Sequence, residues 1–307
     1  MLPPDRLPRI AVIVNRGGGS AGEADAARLH EAFAVHGIDP EIRIVAPRDL
    51  DEVCAAAARR EGCDVLVAAG GDGTIGAAAG ALAGTGRPLG ILPLGTLNHF
   101  ARDAGIPLDL DAAIAVIAAG HRRRVDVAEV NGRVFVNNSA LGLYPEMVRF
   151  RDAEQARTGH GKRLAMLRAA LRALRSFHRR RLLVSAAGAG LPLRTPLLMV
   201  GNNRYRVDLF ALGRREALDR GQLCLYAVRA RNRLHLLWAG LRGLLGGLDQ
   251  QRDFLTLCAE TIDIASERPA LTLSLDGETL TLATPLRYRI RPGDLVIVAP
   301  VPEAREG

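Results

Sequence analysis

The stretch that most constrains this chain is Cys63-Asp64-Val65-Leu66-Val67-Ala68-Ala69-Gly70-Gly71-Asp72-Gly73-Thr74. Its apolar, partly β-branched first half reads as a buried strand, and it breaks into glycines where a small-residue pattern begins at Thr74. Strand, tight loop and helix in that order aim backbone N–H groups and the positive end of a helix at one point, and glycine lets an anion approach without a Cβ in the way. The pattern suits phosphate. Asp72 would stand beside that phosphate, where a carboxylate is repelled unless a cation bridges it, so it is a candidate Mg²⁺ ligand, direct or through water. Thr74 adds a hydroxyl. Gly-Gly-Asp-Gly on its own also reads as a plain turn.

The same rhythm runs through the first third of the chain. Ile10 to Val14 is a short apolar strand entering Asn15-Arg16-Gly17-Gly18-Gly19-Ser20, a second glycine-rich turn before the helix-like stretch 23–36. Strand 41–45, helix 49–60, the central strand and its helix, strand 89–92 and helix 110–119 closed by Gly120 follow. Alternating β and α predict an α/β domain: a parallel sheet with helices on both faces. Ligands in such sheets bind beyond the carboxyl ends of the strands, and three loops lie there: 15–20, 70–74 and 93–98.

After Arg122-Arg123-Arg124 the rhythm changes. Asn131-Gly132 between strands 125–130 and 133–137 is a hairpin signal, because both residues tolerate positive φ. Strands 182–186, 197–201, 222–228, 261–265, 271–275 and 278–282 then follow with few helices between them. A mainly antiparallel β domain is expected, with inserted helices at 162–181 and 232–245. The expected domains are residues 8–126 and 127–300, with the last strand free to return to the first. In helix 162–181, Leu164, Leu167, Leu171, Leu174 and Phe177 share one face, while Arg168, Arg172, Arg175 and Arg179 form another stripe. That face either docks on an anionic membrane or packs its leucines on its own domain.

The loop Pro93-Leu94-Gly95-Thr96-Leu97-Asn98-His99-Phe100-Ala101-Arg102 carries a resemblance. Gly70 to Thr74 is similar to a signature shared by diacylglycerol, sphingosine and NAD kinases and phosphofructokinases. The 93–102 loop resembles the Gly-Thr-x-Asn loop of the diacylglycerol kinase catalytic domain family. Asn137-Asn138 with Leu141-Gly142, Gly201-Asn202-Asn203, Leu218-Asp219-Arg220-Gly221 and Leu275-Asp276-Gly277-Glu278 match further stations in order. The resemblance implies an N-terminal nucleotide domain, a C-terminal β-sandwich, and ATP-dependent phosphorylation of a lipid hydroxyl. It implies that Asn15, Gly17, Gly18, Gly19, Gly70, Gly71, Asp72, Gly73, Thr74, Gly95, Thr96, Asn98, Gly277 and Glu278 hold ATP. Asp72 and Asp126 would serve Mg²⁺, with Asp72 also catalytic, and Asp276 would be the general base.

Two positions depart from the family pattern. His99 stands where many members have Asp, and Arg220 stands where members with a structural Mg²⁺ have Asp, so that structural site is expected to be empty. Asp276-Gly277 between two alternating strands also reads as an ordinary hairpin turn.

Composition narrows the partners. The first 126 residues carry a net charge of −3 and the remainder +11. A basic second half fits an anionic partner. Aromatics are 4% of the chain, too few to supply stacking platforms for nucleic acid. No apolar run approaches a membrane span, and residues 1–9 lack a signal-peptide core. Cys54, Cys63, Cys224 and Cys258 show no metal spacing, and reduced thiols in a cytoplasmic, peripherally membrane-associated protein are expected. The alternatives are a soluble-metabolite kinase of the NAD kinase type and a catalytically weakened lipid- or nucleotide-binding relative.

Overall fold

The computed structural model describes residues 8–16, 23–142, 179–186, 188–207, 212–215, 217–230, 232 and 254–301. The chain divides into two units, residues 1–127 with 291–307, and residues 128–290. Each is taken by itself.

The first unit alternates strand and helix: β1 (Ile10–Asn15), α1 (Glu23–Ala34), β2 (Glu41–Val45), α2 (Leu50–Arg59), β3 (Val65–Gly70), α3 (Asp72–Leu82), β4 (Pro88–Pro93), α4 (His99–Asp103), α5 (Leu110–Ala119), then β5 (Arg122–Val130). Strands pair in parallel in the order β2-β1-β3-β4. Every residue of β3 and β4 is buried, as a parallel strand covered on both faces demands, and this is why both read as unbroken apolar runs. α2 packs with α3 and α1 with α5. Local chemistry sets the helix ends: Asp109 accepts from the Ala112 N–H at 3.0 Å to start α5, and Gly120 closes it at φ 71°.

The second unit continues with β6 (Arg133–Phe135), β7 (Asn138–Gly142), β8 (Arg180–Ala186), β9 (Ala189–Thr195), β10 (Leu197–Asn202), β11 (Tyr205–Val207), β12 (Leu212–Arg215), β13 (Leu223–Val228), β14 (Phe254–Ala259), β15 (Thr261–Ala265), β16 (Ala270–Leu275), β17 (Glu278–Ala283) and β18 (Leu286–Val298). β18 enters the first unit at Arg291, where Val296 and Ile297 run parallel beside Pro88 and Leu89. Six antiparallel strands form one layer in the order β14-β13-β10-β7-β16-β17. The start of β18 pairs with β15, β15 with β8 and β8 with β9, all antiparallel. Val184, Ile262, Ile264, Leu286 and Tyr288 from this second set meet Leu141, Leu198, Val200, Leu223, Leu225 and Leu273 from the first in one core, making a sandwich. Asn131 (φ 46°) and Gly132 (φ 84°) form the β5–β6 hairpin, with Val130 opposite Arg133.

Three expectations need correction or fall elsewhere. Cys224 and Cys258 form a disulfide rather than staying reduced: the β13–β14 register sets them directly opposite, with Cα atoms 4.1 Å apart. A separation of 34 residues gives no hint of that register. Cys54 and Cys63 are free and buried. Arg180 and Arg181, assigned to the end of a helix, begin β8, because Leu182, Val184 and Ala186 alternate into the sandwich core. The remainder of helix 162–181, through residue 178, and all of helix 232–245 beyond Asn232 lie outside the described residues.

Candidate active site

The end of β1 and the loops after β3 and β4 are tied together by short contacts. The side-chain amide of Asn15 donates to Thr74 Oγ1 at 2.9 Å, tying the end of β1 to the first turn of α3. The Leu94 N–H donates to the Gly70 carbonyl at 3.1 Å, joining the loops after β3 and β4. Gly17, Gly18 and Gly19 lie outside the described residues.

Glycine is required where these loops touch. A Cβ on Gly70 would meet Thr74 Oγ1 at 2.3 Å, and one on Gly95 would meet the Gly71 Cα at 2.4 Å. Thr74 is therefore buried against the bare Gly70 backbone. Gly71 is the N-cap of α3 and places no side chain on its N–H groups. Asp72 and Gly73 open the helix, so the positive end of its dipole meets the loop junction.

Asp72 reaches across the junction. Its two carboxylate oxygens accept from the backbone N–H groups of His99 (3.1 Å) and Phe100 (3.0 Å), capping α4 from another element. Asn98 holds the same loop from inside. It is buried, left-handed at φ 50°, accepts from the Gly95 N–H at 3.1 Å, and donates to the carbonyls of Pro93 (3.0 Å) and Gly95 (2.9 Å). Thr96 is exposed at the tip, between Leu94 and the more exposed Leu97. Asp126 is buried and accepts from the Gly293 N–H at 2.8 Å. Among the described residues no group of three His, Cys, Asp or Glu side chains could hold a metal ion.

In the second unit Asp276 (φ 47°) and Gly277 (φ 92°) are the two turn residues of the β16–β17 hairpin. The Asp276 carboxylate accepts from the N–H groups of Val136 (2.8 Å), Asn137 (2.8 Å) and Asn138 (3.0 Å), gathering the segment between β6 and β7. Glu278, the first residue of β17, is exposed. The same segment is held from its other side by Arg215, which sequence reasoning did not single out. Its guanidinium donates to the Val136 carbonyl and, at 3.0 Å, to Asn137 Oδ1, and lies 5.5 Å from the centre of the Tyr205 ring. Asn202 donates to the Val136 carbonyl at 2.9 Å, and Asn203 Oδ1 accepts from the Arg220 N–H at 3.1 Å, leaving Arg220 itself exposed. One of two adjacent arginines in a four-residue strand carries no pattern that marks it as buried.

Residues 9–130 match the family model "Diacylglycerol kinase catalytic domain". Among curated proteins, a "Diacylglycerol kinase" of Staphylococcus saprophyticus is 46% identical over 90 residues, 29% of this chain and 30% of that protein. A protein of Salmonella newport named "Probable lipid kinase YegS" is 36% identical over 150 residues, 45% of this chain and 48% of that one. The chain thus spans about half, or less, of the curated relatives it matches. The crystal structure of a diacylglycerol kinase from Bacillus anthracis aligns at TM-score 0.67 and 20% identity, over 95% of this chain and 97% of that one. Yeast NADH kinase aligns at TM-score 0.55 and 13% identity over 97% and 85%. Both structures share the fold.

Proposed function

We propose that this protein is a lipid kinase that transfers the terminal phosphoryl group of ATP to the hydroxyl of diacylglycerol or a related lipid alcohol. The observation that carries the reading is the junction of Gly70 to Thr74 with Gly95 to Asn98, within a segment that matches the diacylglycerol kinase catalytic domain. The glycines let the two loops pack backbone against backbone at the N-terminus of α3, and the positive end of that helix, with no side chain on Gly71, fits a polyphosphate. Phosphoryl transfer needs positioning and charge neutralisation more than covalent help.

In this reading Gly71, Asp72 and Gly73 present backbone N–H groups to the phosphates, with Asn15, Gly17, Gly18 and Gly19 on the neighbouring loop and the Thr96 hydroxyl at the rim. Asn98 and Thr74 keep the loops in register. The donor set fits Mg²⁺ that arrives with the triphosphate better than a preassembled metal site, because Asp72 and Asp126 already accept backbone N–H bonds. When bound, Mg²⁺ neutralises phosphate charge. Asp276 is the residue we assign to the proton of the acceptor hydroxyl, its rotamer fixed by three N–H donors, with Gly277 and Glu278 beside it. An aliphatic acceptor lives in a bilayer, so the protein works at a membrane surface. Among the described residues no helix is long and apolar enough to cross one.

The test is incubation of purified protein with labelled ATP, Mg²⁺ and diacylglycerol in neutral detergent micelles, with parallel reactions on a mixed lipid extract and on NAD. A labelled phospholipid is expected. Label in NADP alone would overturn the reading in favour of a soluble-metabolite kinase.

A further inference from the structure

Strands β8 and β9 pair so that Arg181 faces Arg194 and Leu183 faces Pro192. Leu182, Val184 and Ala186 point into the sandwich core, so the alternate residues Arg181, Leu183 and Ser185 stand on the outer face. Like charges placed directly opposite across strands repel. Among the described residues no carboxylate pairs with Arg179, Arg181 or Arg194, and Arg179 adds a third guanidinium by donating to the Arg194 carbonyl at 3.2 Å. On the same face, beside this charge, Leu183 is 47% exposed.

We propose that the outer face of the β8–β9 hairpin docks on an anionic lipid surface. Three exposed arginines next to the exposed Leu183 match a leaflet in both respects, since the charges meet phosphates while the leucine enters the headgroup boundary. Two other partners fit less well. β9 ends the strand order and carries Pro192, which blunts strand addition by another protein chain. The hairpin has no aromatic side chain on which a nucleic-acid base could stack. The excess of +11 beyond residue 126 adds a long-range attraction of the same sign. The inference rests on the lipid-kinase reading only for why such docking would be useful.

The test is sedimentation of full-length protein with vesicles of phosphatidylcholine alone and of phosphatidylcholine with phosphatidylglycerol in equal parts. The wild type is expected on the anionic vesicles only. The double variant R181S/R194S should partition about 30-fold less, the compounded effect of two arginines at an acidic surface. Its Tm should stay level or rise, since a repulsive pair is gone. L183S should weaken binding with no change in salt dependence. Unchanged binding by R181S/R194S, or no binding by the wild type, would overturn the proposal, as would loss of oligonucleotide binding with vesicle binding intact. Turnover on diacylglycerol in neutral micelles reports separately: R181S/R194S should match the wild type there. Absent wild-type turnover would count against the kinase reading and leave the vesicle result standing.

Discussion

Gly95 lies so close to Gly71 that a Cβ on Gly95 would stand 2.4 Å from the Gly71 Cα, whereas a Cβ on Gly71 would stand at 3.4 Å from the Gly95 Cα. The contact is asymmetric, and the two glycines answer to different demands. Gly95→Ala pushes one backbone into another and also crowds Asn98 Oδ1 at 2.7 Å, so it should cost about 3 kcal/mol. Gly71→Ala has room and an ordinary φ of −90°, so it should leave Tm nearly unchanged. If phosphate approaches the bare face of Gly71, the same variant loses nucleotide. Thermal melts with isothermal titration of ADP check both: Gly95→Ala unfolds early, and Gly71→Ala melts normally but binds weakly.

That junction was half legible in the sequence. Val65 to Gly70 announces a buried strand through its unbroken apolar run, and the glycines announce the turn. What the sequence hides is the partner of Asp72, because α4 has five residues, too few for any periodicity to declare a helix N-terminus for it to cap. Asn98 was readable as a family residue, but not as a left-handed one bonded three ways within its own loop. Arg215 and the Cys224–Cys258 pair were out of reach for a common reason: each depends on which strand lies beside which. The hairpin at Asp276 and Gly277 was readable both as a turn and as a family motif. The residues form the turn, and the catalytic role of Asp276 is the part we propose.

Asp276→Asn tests that role with a complication that sequence reasoning did not foresee. A two-residue turn tolerates Asn as well as Asp, so the turn alone predicts an unchanged fold. The carboxylate, however, accepts three backbone N–H bonds, and an amide turns one acceptor oxygen into a donor facing an N–H group. A loss of about 1 to 3 kcal/mol is therefore expected. Turnover should be scored per folded molecule, with the folded fraction taken from near-UV circular dichroism. A fall of about 100-fold or more after that correction supports the base; activity tracking the folded fraction assigns Asp276 to the clamp alone.

The cysteines make a count. Burial pushes the Cys54 thiol up to about 12 and the Cys63 thiol upward as well, so neither offers much thiolate at pH 8. Cys224 and Cys258 are bonded to each other. Iodoacetamide should label the native protein barely at all, then Cys54 and Cys63 on denaturation without reductant, and all four cysteines once a reductant is added. Mass spectrometry reads the result directly. Four labels without reductant would mean that the β13–β14 pair is not joined.

Asp72 poses the sharpest alternative at the site. As a clasp it holds α4 through His99 and Phe100 and shapes the cradle whether or not a metal is present. As a metal ligand it acts only on Mg²⁺-bound nucleotide. Asp72→Asn separates these roles, because an amide keeps one of the two acceptor oxygens and loses the charge. If the clasp dominates, the variant should lower affinity for ADP by the same factor in Mg²⁺ and in EDTA, about 10-fold for one lost charge-assisted bond. If Asp72 meets the cation, most of the loss should appear only with Mg²⁺, and the Mg²⁺ dependence of the variant should flatten. The two titrations form a cycle whose interaction term is the quantity of interest, so a general weakening of the loop cancels. The geometry leads us to expect a small term: both oxygens already face N–H donors from another element, and a cation there would meet them across bonds that the fold itself requires.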